Sequence, residues 1–257
     1  MYRKNKSLGQ HFLIDQNVLN DILNHIEANP NEEVYEIGPG AGALTDCLIR
    51  HGLVVKAIEL DKRWCHWLKK KYDEKALKVI NQDALQFSWQ ILCAEDVVVG
   101  NLPYNIASEL MCSWVESQIT FKNAILMMQK EVADRAMASP GSKHYGRLSI
   151  VLQTYFKVDP LLNVPPEAFD PPPKVQSAVI RLSLLPEKLC SFELLEPLKK
   201  VTAAAFSQRR KKCKHGLATY FTVQDLKNIG VDPELRPEFL EVNQFIQLAE
   251  EYKKNSC

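Results

Sequence analysis

The sequence has no long apolar run and almost no excess charge. About 18 consecutive apolar residues are needed to span a bilayer, and no stretch of the 257 residues approaches that length. Lys and Arg number 32 against 31 Asp and Glu. The whole-chain charge therefore indicates no nucleic-acid partner, and only a local cluster of cations can do so. The amino terminus also lacks the apolar core of a signal peptide, and we expect a cytoplasmic protein that does not enter a membrane.

Cysteine spacing excludes two further classes of protein. The seven cysteines are an odd number, and no two of them form a C-x-x-C pair. A disulfide framework and a zinc knuckle are both unsupported by this pattern. We expect reduced, mostly buried thiols and no metal site.

Short β-branched runs alternate with helical patterns over the first half of the chain. Hydrophobic residues make up 46% of the sequence, which suits a folded protein of one large domain with a small addition. Strands are predicted at 34–37, 53–60, 78–80, 96–99 and 124–128, after an amphipathic helix that begins beyond Asp15. Further helices are predicted at 43–51, 62–72 and 106–117. This alternation is typical of βαβ units, and it predicts an α/β, Rossmann-like parallel sheet covered on both faces.

The pattern changes after residue 128. Two predicted strands, 148–158 and 175–184, flank a proline-rich loop without a helix between them. From about Pro186 the strand pattern disappears, and the apolar residues keep helical spacing. We therefore predict a large domain at 1–185, with an N-terminal arm at 1–15, and a small all-helical domain at 186–257.

Glycines and acidic residues follow successive predicted strands. Gly38, Gly40 and Gly42 have G-x-G-x-G spacing, which differs from the G-x-G-x-x-G of dinucleotide-binding proteins. Glu59 closes the second strand, where a carboxylate can accept from both hydroxyls of a ribose, and Asp83 follows the third. This set predicts a nucleoside cofactor without a pyrophosphate, a description that fits S-adenosylmethionine. The alternative reading is a tight structural turn and two solvated carboxylates.

The tetrapeptide from Asn101 to Tyr104 follows the fourth predicted strand. The side-chain carbonyl of Asn101 and the backbone carbonyl of Leu102 could both accept from an adenine amine, whose lone pair is otherwise delocalised into the ring. Pro103 restricts the backbone of Leu102, and Tyr104 offers a ring on which a base can stack. Taken alone, such a sequence is often only a turn. After a parallel strand, it predicts methyl transfer to an adenine amine without a general base.

The chain resembles the KsgA family of ribosomal RNA adenine-N6 dimethyltransferases. The matching stretches include Leu8–Leu13, Glu36–Gly40, Ile58–Asp61, Gln82–Ala84, Gly100–Ile106, Met128–Val132, Tyr145–Ser149, Val164–Val175 and Phe206–Lys211. The resemblance extends over nearly the whole chain. It implies that S-adenosylmethionine is the methyl donor and that two neighbouring adenosines near the 3′ end of small-subunit rRNA, within a precursor particle, are the substrate.

The same resemblance implies particular roles for residues of this chain. The residues implied to contact the cofactor are His11, Leu13, Gly38, Glu59, Asp83 and Asn101. Glu59 would hold the ribose and Asp83 the adenine amine, while Phe169 would cover the face of the target base opposite Tyr104. Without the resemblance, His11 and Leu13 would be read as a hydrophobic anchor and Phe169 as a loop residue packed on prolines. Many relatives have asparagine where this chain has His11.

Cations are concentrated in one stretch of the predicted helical domain. Arg209, Arg210, Lys211 and Lys212 are followed by Lys214, and no acidic residue lies beside them in the sequence. We predict that this cluster contacts RNA phosphates, which positions RNA without reading its sequence. A solvated helix face is the alternative, and Lys69–Lys71 stay unassigned for that reason. Nothing indicates an obligate dimer, so we expect a monomer.

Three other functions compete with small-subunit rRNA dimethylation. The Erm family of large-subunit rRNA methyltransferases shares the catalytic tetrapeptide, but the Tyr145–Ser149 segment and the triple proline after Phe169 fit the small-subunit family better. A non-catalytic assembly or transcription factor could keep the fold. An NAD-dependent dehydrogenase does not fit the glycine spacing.

Overall fold

The computed structural model describes residues 11–30, 32–103 and 106–256. The strands within these residues are β1 (Phe12–Leu13), β2 (Glu33–Ile37), β3 (Val54–Glu59), β4 (Leu77–Asn81), β5 (Val97–Asn101), β6 (Asn123–Gln129), β7 (Phe156–Val164), β8 (Phe169–Asp170) and β9 (Ser177–Leu184). The α-helices are α1 (Gln16–Asn24), α2 (Ala43–Arg50), α3 (Lys62–Lys71), α4 (Ala107–Glu116), α5 (Lys130–Met137), α6 (Arg147–Gln153), α7 (Phe192–Ser207), α8 (Cys213–Gly216), α9 (Val223–Ile229) and α10 (Val242–Asn255).

Seven strands form one sheet in the order β4-β3-β2-β5-β6-β9-β7. Strands β2 to β6 pair in parallel, and β9 is antiparallel to β6. The strand order reverses between β2 and β5, so the carboxyl ends of these neighbours flank the crevice in which open α/β sheets bind ligands. The predicted Rossmann-like sheet is confirmed.

A hydrophobic core holds α1, α2 and α3 against the sheet. It combines Leu19, Leu48 and Leu68 from these helices with every second strand residue, such as Val55 and Ala57 of β3. Alternate residues of a strand point to opposite faces. Val97 and Val99 of β5 belong to this core, and Val98, which points to the other face of the sheet, is also fully buried. Both faces of the central strands are therefore covered, as parallel strands require.

The prediction of a strand at 148–158 is wrong for residues 148–153, which belong to helix α6. Leu148, Ile150 and Leu152 belong to a short apolar run, which periodicity alone cannot distinguish from a buried helix. The backbone N–H of Gly146 donates to the Ser149 side-chain oxygen at 3.1 Å, which caps the amino terminus of α6. The strand begins only at Phe156. Helix α5 was not anticipated by the sequence pattern at all.

The chain divides into two compact units, and the division differs from a single boundary at residue 186. One unit contains the residues up to Ala133 together with Asp159–Leu184, and the other contains Asp134–Val158 and the residues from Leu185 onward. Residues 134–158 join the helical unit because α6 packs on α7 and α10 there. Within that unit, the Gln153 side chain also donates to the carbonyl oxygen of Ala136 at 3.2 Å.

None of the helices in the described part of the chain is both long and apolar enough to cross a bilayer.

Gly100 is expected to tolerate no side chain, because β5 lies between β2 and β6. A Cβ atom there would lie 2.9 Å from the backbone oxygen of Ile37. We expect Gly100→Ala to lower the free energy of unfolding by about 1–3 kcal/mol, measured by urea denaturation. Gly146 has extended backbone and an added Cβ would meet nothing closer than 3.9 Å, so Gly146→Ala is the control and should change little. Equal effects of the two substitutions would contradict the steric explanation.

Candidate active site

A cavity of about 390 Å³ opens at the carboxyl ends of β2, β3, β4 and β5. Its volume lies within the range of about 300–1,000 Å³ that is usual for small-molecule sites. Eight of the predicted site residues line it: His11, Leu13, Gly38, Glu59, Asp83, Asn101, Leu102 and Pro103. The parallel sheet brings six of them together, because Gly38, Glu59 and Asp83 end or follow β2, β3 and β4, and residues 101–103 end or follow β5. The other two belong to the N-terminal arm.

The glycine loop, residues 38–42, forms one wall of the cavity, and its backbone lies close to the N-terminal arm. Gly38, Gly40 and Gly42 all have positive φ angles, which side-chain-bearing residues rarely adopt. A Cβ on Gly40 would lie 2.9 Å from the ring of Phe12, and that ring already packs edge-on against Trp64. Gly40 therefore brings backbone to a place where a side chain would collide with the N-terminal arm.

Glu59 ties the glycine loop to the start of α3. The backbone N–H of Gly40 donates to its Oε2 at 3.0 Å, and the N–H of Asp61 donates to its Oε1 at 2.8 Å. Burial raises the pKa of Glu59, and these two backbone hydrogen bonds oppose that shift. Because a carboxylate offers about four lone-pair positions, the group keeps acceptor capacity for the hydroxyls of a ribose.

Asp83 lies just beyond the end of β4, on the same side of the sheet. Its Oδ1 accepts from the backbone N–H of Leu85 at 2.9 Å, which fixes the turn that follows. The side chain is half-buried and lines the cavity. A carboxylate held in this way can accept from the exocyclic amine of an adenine.

Asn101 is held by the backbone of the N-terminal arm. Its Nδ2 donates to the carbonyl oxygen of His11 at 3.2 Å. Because the amide nitrogen is engaged, the side-chain oxygen is left as the acceptor for a ligand. The next residue, Leu102, is buried and anchored by its own N–H to the carbonyl oxygen of Met127 at 2.9 Å. The backbone that carries both predicted acceptors is therefore fixed to β6, while Tyr104 lies outside the described residues.

The arm reaches the cavity because β1 pairs with β8. Leu13 lies opposite Phe169 in this antiparallel pair. The ring nitrogen Nδ1 of His11 lies 2.7 Å from the carbonyl oxygen of Pro171. The arm residues before His11 lie outside the part of the chain that is described.

Phe169 is not among the residues that line the cavity. Its side chain is 2% exposed and belongs to the hydrophobic core. Five members of the same core do line the cavity: Leu13, Ile22, Ile125, Met127 and Val179. The stacking of Phe169 on a target base stays a prediction, and it requires the ring to leave this packed position.

Glu36 is a cavity residue that the sequence reasoning did not single out. It lies in β2, is 2% exposed and accepts from the Thr45 hydroxyl at 2.6 Å. Burial raises its pKa to about 8, and nearby Glu59 adds to the shift. The signal that could have revealed it is a carboxylate within the apolar strand that leads into the glycine loop.

The basic cluster of the helical unit is partly neutralised by acids that are remote in the sequence. Lys212 and Lys214 both pair with Glu234, at 2.6 and 2.5 Å, and Arg209 pairs with Glu238 at 2.8 Å. The two lysines lower the pKa of Glu234 to about 2. The absence of acidic residues beside the cluster in the sequence therefore does not mean that these three cations are unpaired. Arg210 and Lys211 are exposed and have no ion pair with any described residue.

Comparison with known proteins gives the family. A family model described as ribosomal RNA adenine dimethylase matches residues 1–254. The chain is 42% identical over 249 residues to ribosomal RNA small subunit methyltransferase A of Janthinobacterium sp. (strain Marseille), covering 95% of this chain and 96% of the relative. It is 41% identical over 249 residues to the protein of the same name from Herminiimonas arsenicoxydans, with the same coverage.

Solved structures agree with the observed sheet and helical unit. The crystal structure of a dimethyladenosine transferase from Plasmodium falciparum superimposes with a TM-score of 0.79 and 27% identity, covering 96% of this chain and 98% of that one. The 23S rRNA methyltransferase ErmE gives a TM-score of 0.69 and 25% identity, over 94% of this chain and 99% of the other. On the strength of the family match along residues 1–254, this chain belongs to the ribosomal RNA adenine dimethylases.

Proposed function

We propose that the chain transfers methyl groups from S-adenosylmethionine to the N6 amines of two adjacent adenosines near the 3′ end of small-subunit rRNA, within a precursor particle. Family membership supports the reaction, and the relatives named for the small ribosomal subunit support the substrate. The observation that carries the proposal is the single cavity that joins the glycine loop, Glu59 and Asn101. We also propose that the protein acts as a monomer.

The cavity residues fit a methyl-donating nucleoside. S-adenosylmethionine supplies an activated methyl group on a positively charged sulfur. Glu59 would accept from the ribose hydroxyls, and Asp83 from the adenine amine. His11, Leu13 and Gly38 would complete the walls around the nucleoside, since they line the same cavity.

The catalytic tetrapeptide would orient the target amine. The side-chain oxygen of Asn101 and the backbone oxygen of Leu102 accept its two hydrogens, so that the nitrogen lone pair is directed at the methyl group. Pro103 restricts the backbone that carries the second acceptor. Tyr104 would stack on one face of the base, and Phe169 on the other after leaving the core. The proton released after transfer goes to water, and orientation provides most of the acceleration.

The experiment that tests the function is methyl transfer from labelled S-adenosylmethionine. The acceptors are undermethylated small subunits, large subunits and free rRNA, and the products are analysed as nucleosides. We expect dimethyladenosine in small subunits. Labelling of large subunits would instead favour the Erm-type activity, for which the ErmE structure is the specific observation. Binding to small subunits without labelling would favour an assembly factor. We also propose that the protein acts in the cytoplasm.

RNA affinity is expected to depend on Arg210 and Lys211 more than on the paired cations of the same cluster. These two side chains can contact phosphates without first breaking an ion pair. We expect the Arg210→Ala/Lys211→Ala variant to bind RNA more weakly and to lower the slope of log affinity against log salt concentration by about 1–2. The measurement is a salt titration of RNA binding.

A control for charge alone is available on α3. Lys69→Ala/Lys70→Ala removes the same number of cations from exposed positions of the other unit, and its salt slope should match that of the wild type. A slope lowered equally in both variants would mean that the effect follows total charge. An unchanged slope in Arg210→Ala/Lys211→Ala would assign the cluster to a solvated surface.

A further inference from the structure

Acidic side chains dominate the polar lining of the cavity. Glu36, Glu59, Asp83 and Glu109 all line it, whereas no lysine or arginine is found among the described lining residues. Two of these carboxyl groups, Glu36 and Glu59, are almost completely buried, at 2% and 6% exposure. Two adjacent buried carboxylates repel each other and lose hydration, which disfavours ionisation of both.

The two buried carboxyl groups differ in how their charge is stabilised. Glu59 accepts from the backbone N–H groups of Gly40 and Asp61, one on each oxygen. Glu36 accepts from the Thr45 hydroxyl, which contacts Oε2 at 2.6 Å. Among the described residues, only Thr45, through its hydroxyl and its backbone, lowers the pKa of Glu36, whereas the backbone of three residues lowers that of Glu59. A carboxylate with more donors is the better anion. Glu36 is therefore the group that keeps a proton when the two compete.

We propose that Glu36 is protonated in the free enzyme and releases its proton to solvent when a positively charged nucleoside binds, so that the ionised carboxylate complements the positive charge of the ligand. The inference rests on the proposed function, since S-adenosylmethionine is such a ligand. The O–H bond of the carboxylic acid breaks, its electron pair stays on oxygen, and the proton passes to buffer. No other bond changes. Glu36 thereby becomes a specificity-determining residue that favours the cationic methyl donor over neutral nucleosides.

None of the other described ionisable groups around Glu36 supplies a positive charge that would stabilise its ionised form. Glu59 faces it from β3, and Asp46 from α2. Lys71 and the Tyr72 hydroxyl both bond to Asp46, at 2.7 and 2.5 Å, so that the charge of the lysine is satisfied there. The positive charge of Arg50 also lowers the pKa of Asp46. Asp83, just beyond β4, and His11, in the N-terminal arm, line the same cavity. Burial thus raises the pKa of Glu36 to about 8, a value at which it can still ionise near neutral pH.

Calorimetry of ligand binding to the full chain tests the proposal directly. S-adenosylmethionine is titrated at pH 7 in two buffers with different enthalpies of ionisation, and 5′-methylthioadenosine, which is neutral, is the matched ligand. We expect the cationic ligand to release close to one proton per site and the neutral ligand to release close to none. Glu36→Gln should abolish the release, while Glu95→Gln, a change at an exposed position outside the cavity lining, should leave it intact.

The pH dependence of affinity gives a second readout. The affinity of the wild type for S-adenosylmethionine, relative to Glu36→Gln, should rise about tenfold from pH 6 to pH 7 and level off above about pH 8. Thr45→Val keeps the carboxyl group of Glu36 but removes the hydroxyl that donates to it. The pKa of Glu36 should therefore rise, and the affinity should level off at a higher pH than in the wild type. This variant also keeps the test decisive if Glu36→Gln does not fold.

The outcomes separate the inference from the proposed function. If S-adenosylmethionine does not bind the wild type, the proposed function fails. If it binds without proton release, or if Glu36→Gln releases as many protons as the wild type, only the inference is overturned. Release that is lost in Glu59→Gln and retained in Glu36→Gln would assign the proton to Glu59 and also overturn it.

Discussion

Replacing Asn101 with alanine is expected to lower kcat for methyl transfer by about 100- to 1,000-fold, the usual cost of removing one preorganised polar group from a reaction site. In the proposed mechanism, the side-chain oxygen of Asn101 directs the lone pair of the target amine, an interaction needed most at the moment of transfer. Single-turnover kinetics with saturating RNA measure the rate, and a filter-binding assay measures RNA affinity, which should stay within about threefold of the wild type.

Two further variants show whether the effect comes from the amide of Asn101. Asn163 is an exposed asparagine of β7, and Asn163→Ala should leave the rate unchanged. Asn101→Asp keeps an acceptor oxygen but loses the N–H that donates to the carbonyl of His11. Two oxygens then face each other, so we expect the side chain to turn away and kcat to fall as far as in the alanine variant. A full rate in Asn101→Ala would remove the amine-orientation mechanism.

The sequence was sufficient to place the cavity because strand-end residues of a parallel sheet meet at one edge. Glu59, Asp83 and Asn101 lie at the ends of β3, β4 and β5 or directly beyond them, and all three line the cavity. This inference needs only the order of strands and helices along the chain. The Rossmann-like architecture was predictable for the same reason.

What the sequence could not show are contacts between residues that are far apart in the chain. The hydrogen bond from Asn101 to His11 joins residues 90 positions apart, and the partner of Lys212 is Glu234, in a separate segment. No local pattern records which backbone oxygen or carboxylate will lie opposite a given side chain. The helix at 147–153 was missed for a different reason, because periodicity alone cannot distinguish a short apolar strand from a buried helix.

Pairing between strands that are distant in the sequence forms another part of the site, which local sequence patterns cannot reveal. Leu13 lines the cavity only because β1 pairs with β8, a strand more than 150 residues later. The backbone N–H of Ile14 continues this attachment by donating to the carbonyl oxygen of Ala168 at 2.8 Å. The hydrogen bond between Asn101 and His11 therefore links the catalytic tetrapeptide to the proline-rich loop through the arm.

Replacing Glu59 with alanine is expected to weaken binding of S-adenosylmethionine by about 100-fold or more. A hydrogen bond to a charged group contributes about 1.5–3 kcal/mol, and Glu59 would make two to the ribose. The substitution also removes the acceptor of the Gly40 and Asp61 backbone N–H groups, so that the glycine loop loses its attachment to α3. Calorimetry measures the affinity, and thermal unfolding without ligand reports any loss of stability.

A thermodynamic cycle can separate the contact of Glu59 with the ribose from its role in holding the glycine loop. The cycle combines one change in the protein with one change in the ligand. The affinities of wild type and Glu59→Gln are compared for 5′-methylthioadenosine and for its 2′-deoxy form, which lacks one ribose hydroxyl. The wild type should discriminate between these two nucleosides by about tenfold or more, and the variant should lose most of that discrimination, because the contact being removed is the same in both changes. A glutamine side chain still accepts from one backbone N–H, so the loop stays attached at one point. Undiminished discrimination in Glu59→Gln would mean that the ribose lies elsewhere and that Glu59 acts only by holding the glycine loop in place.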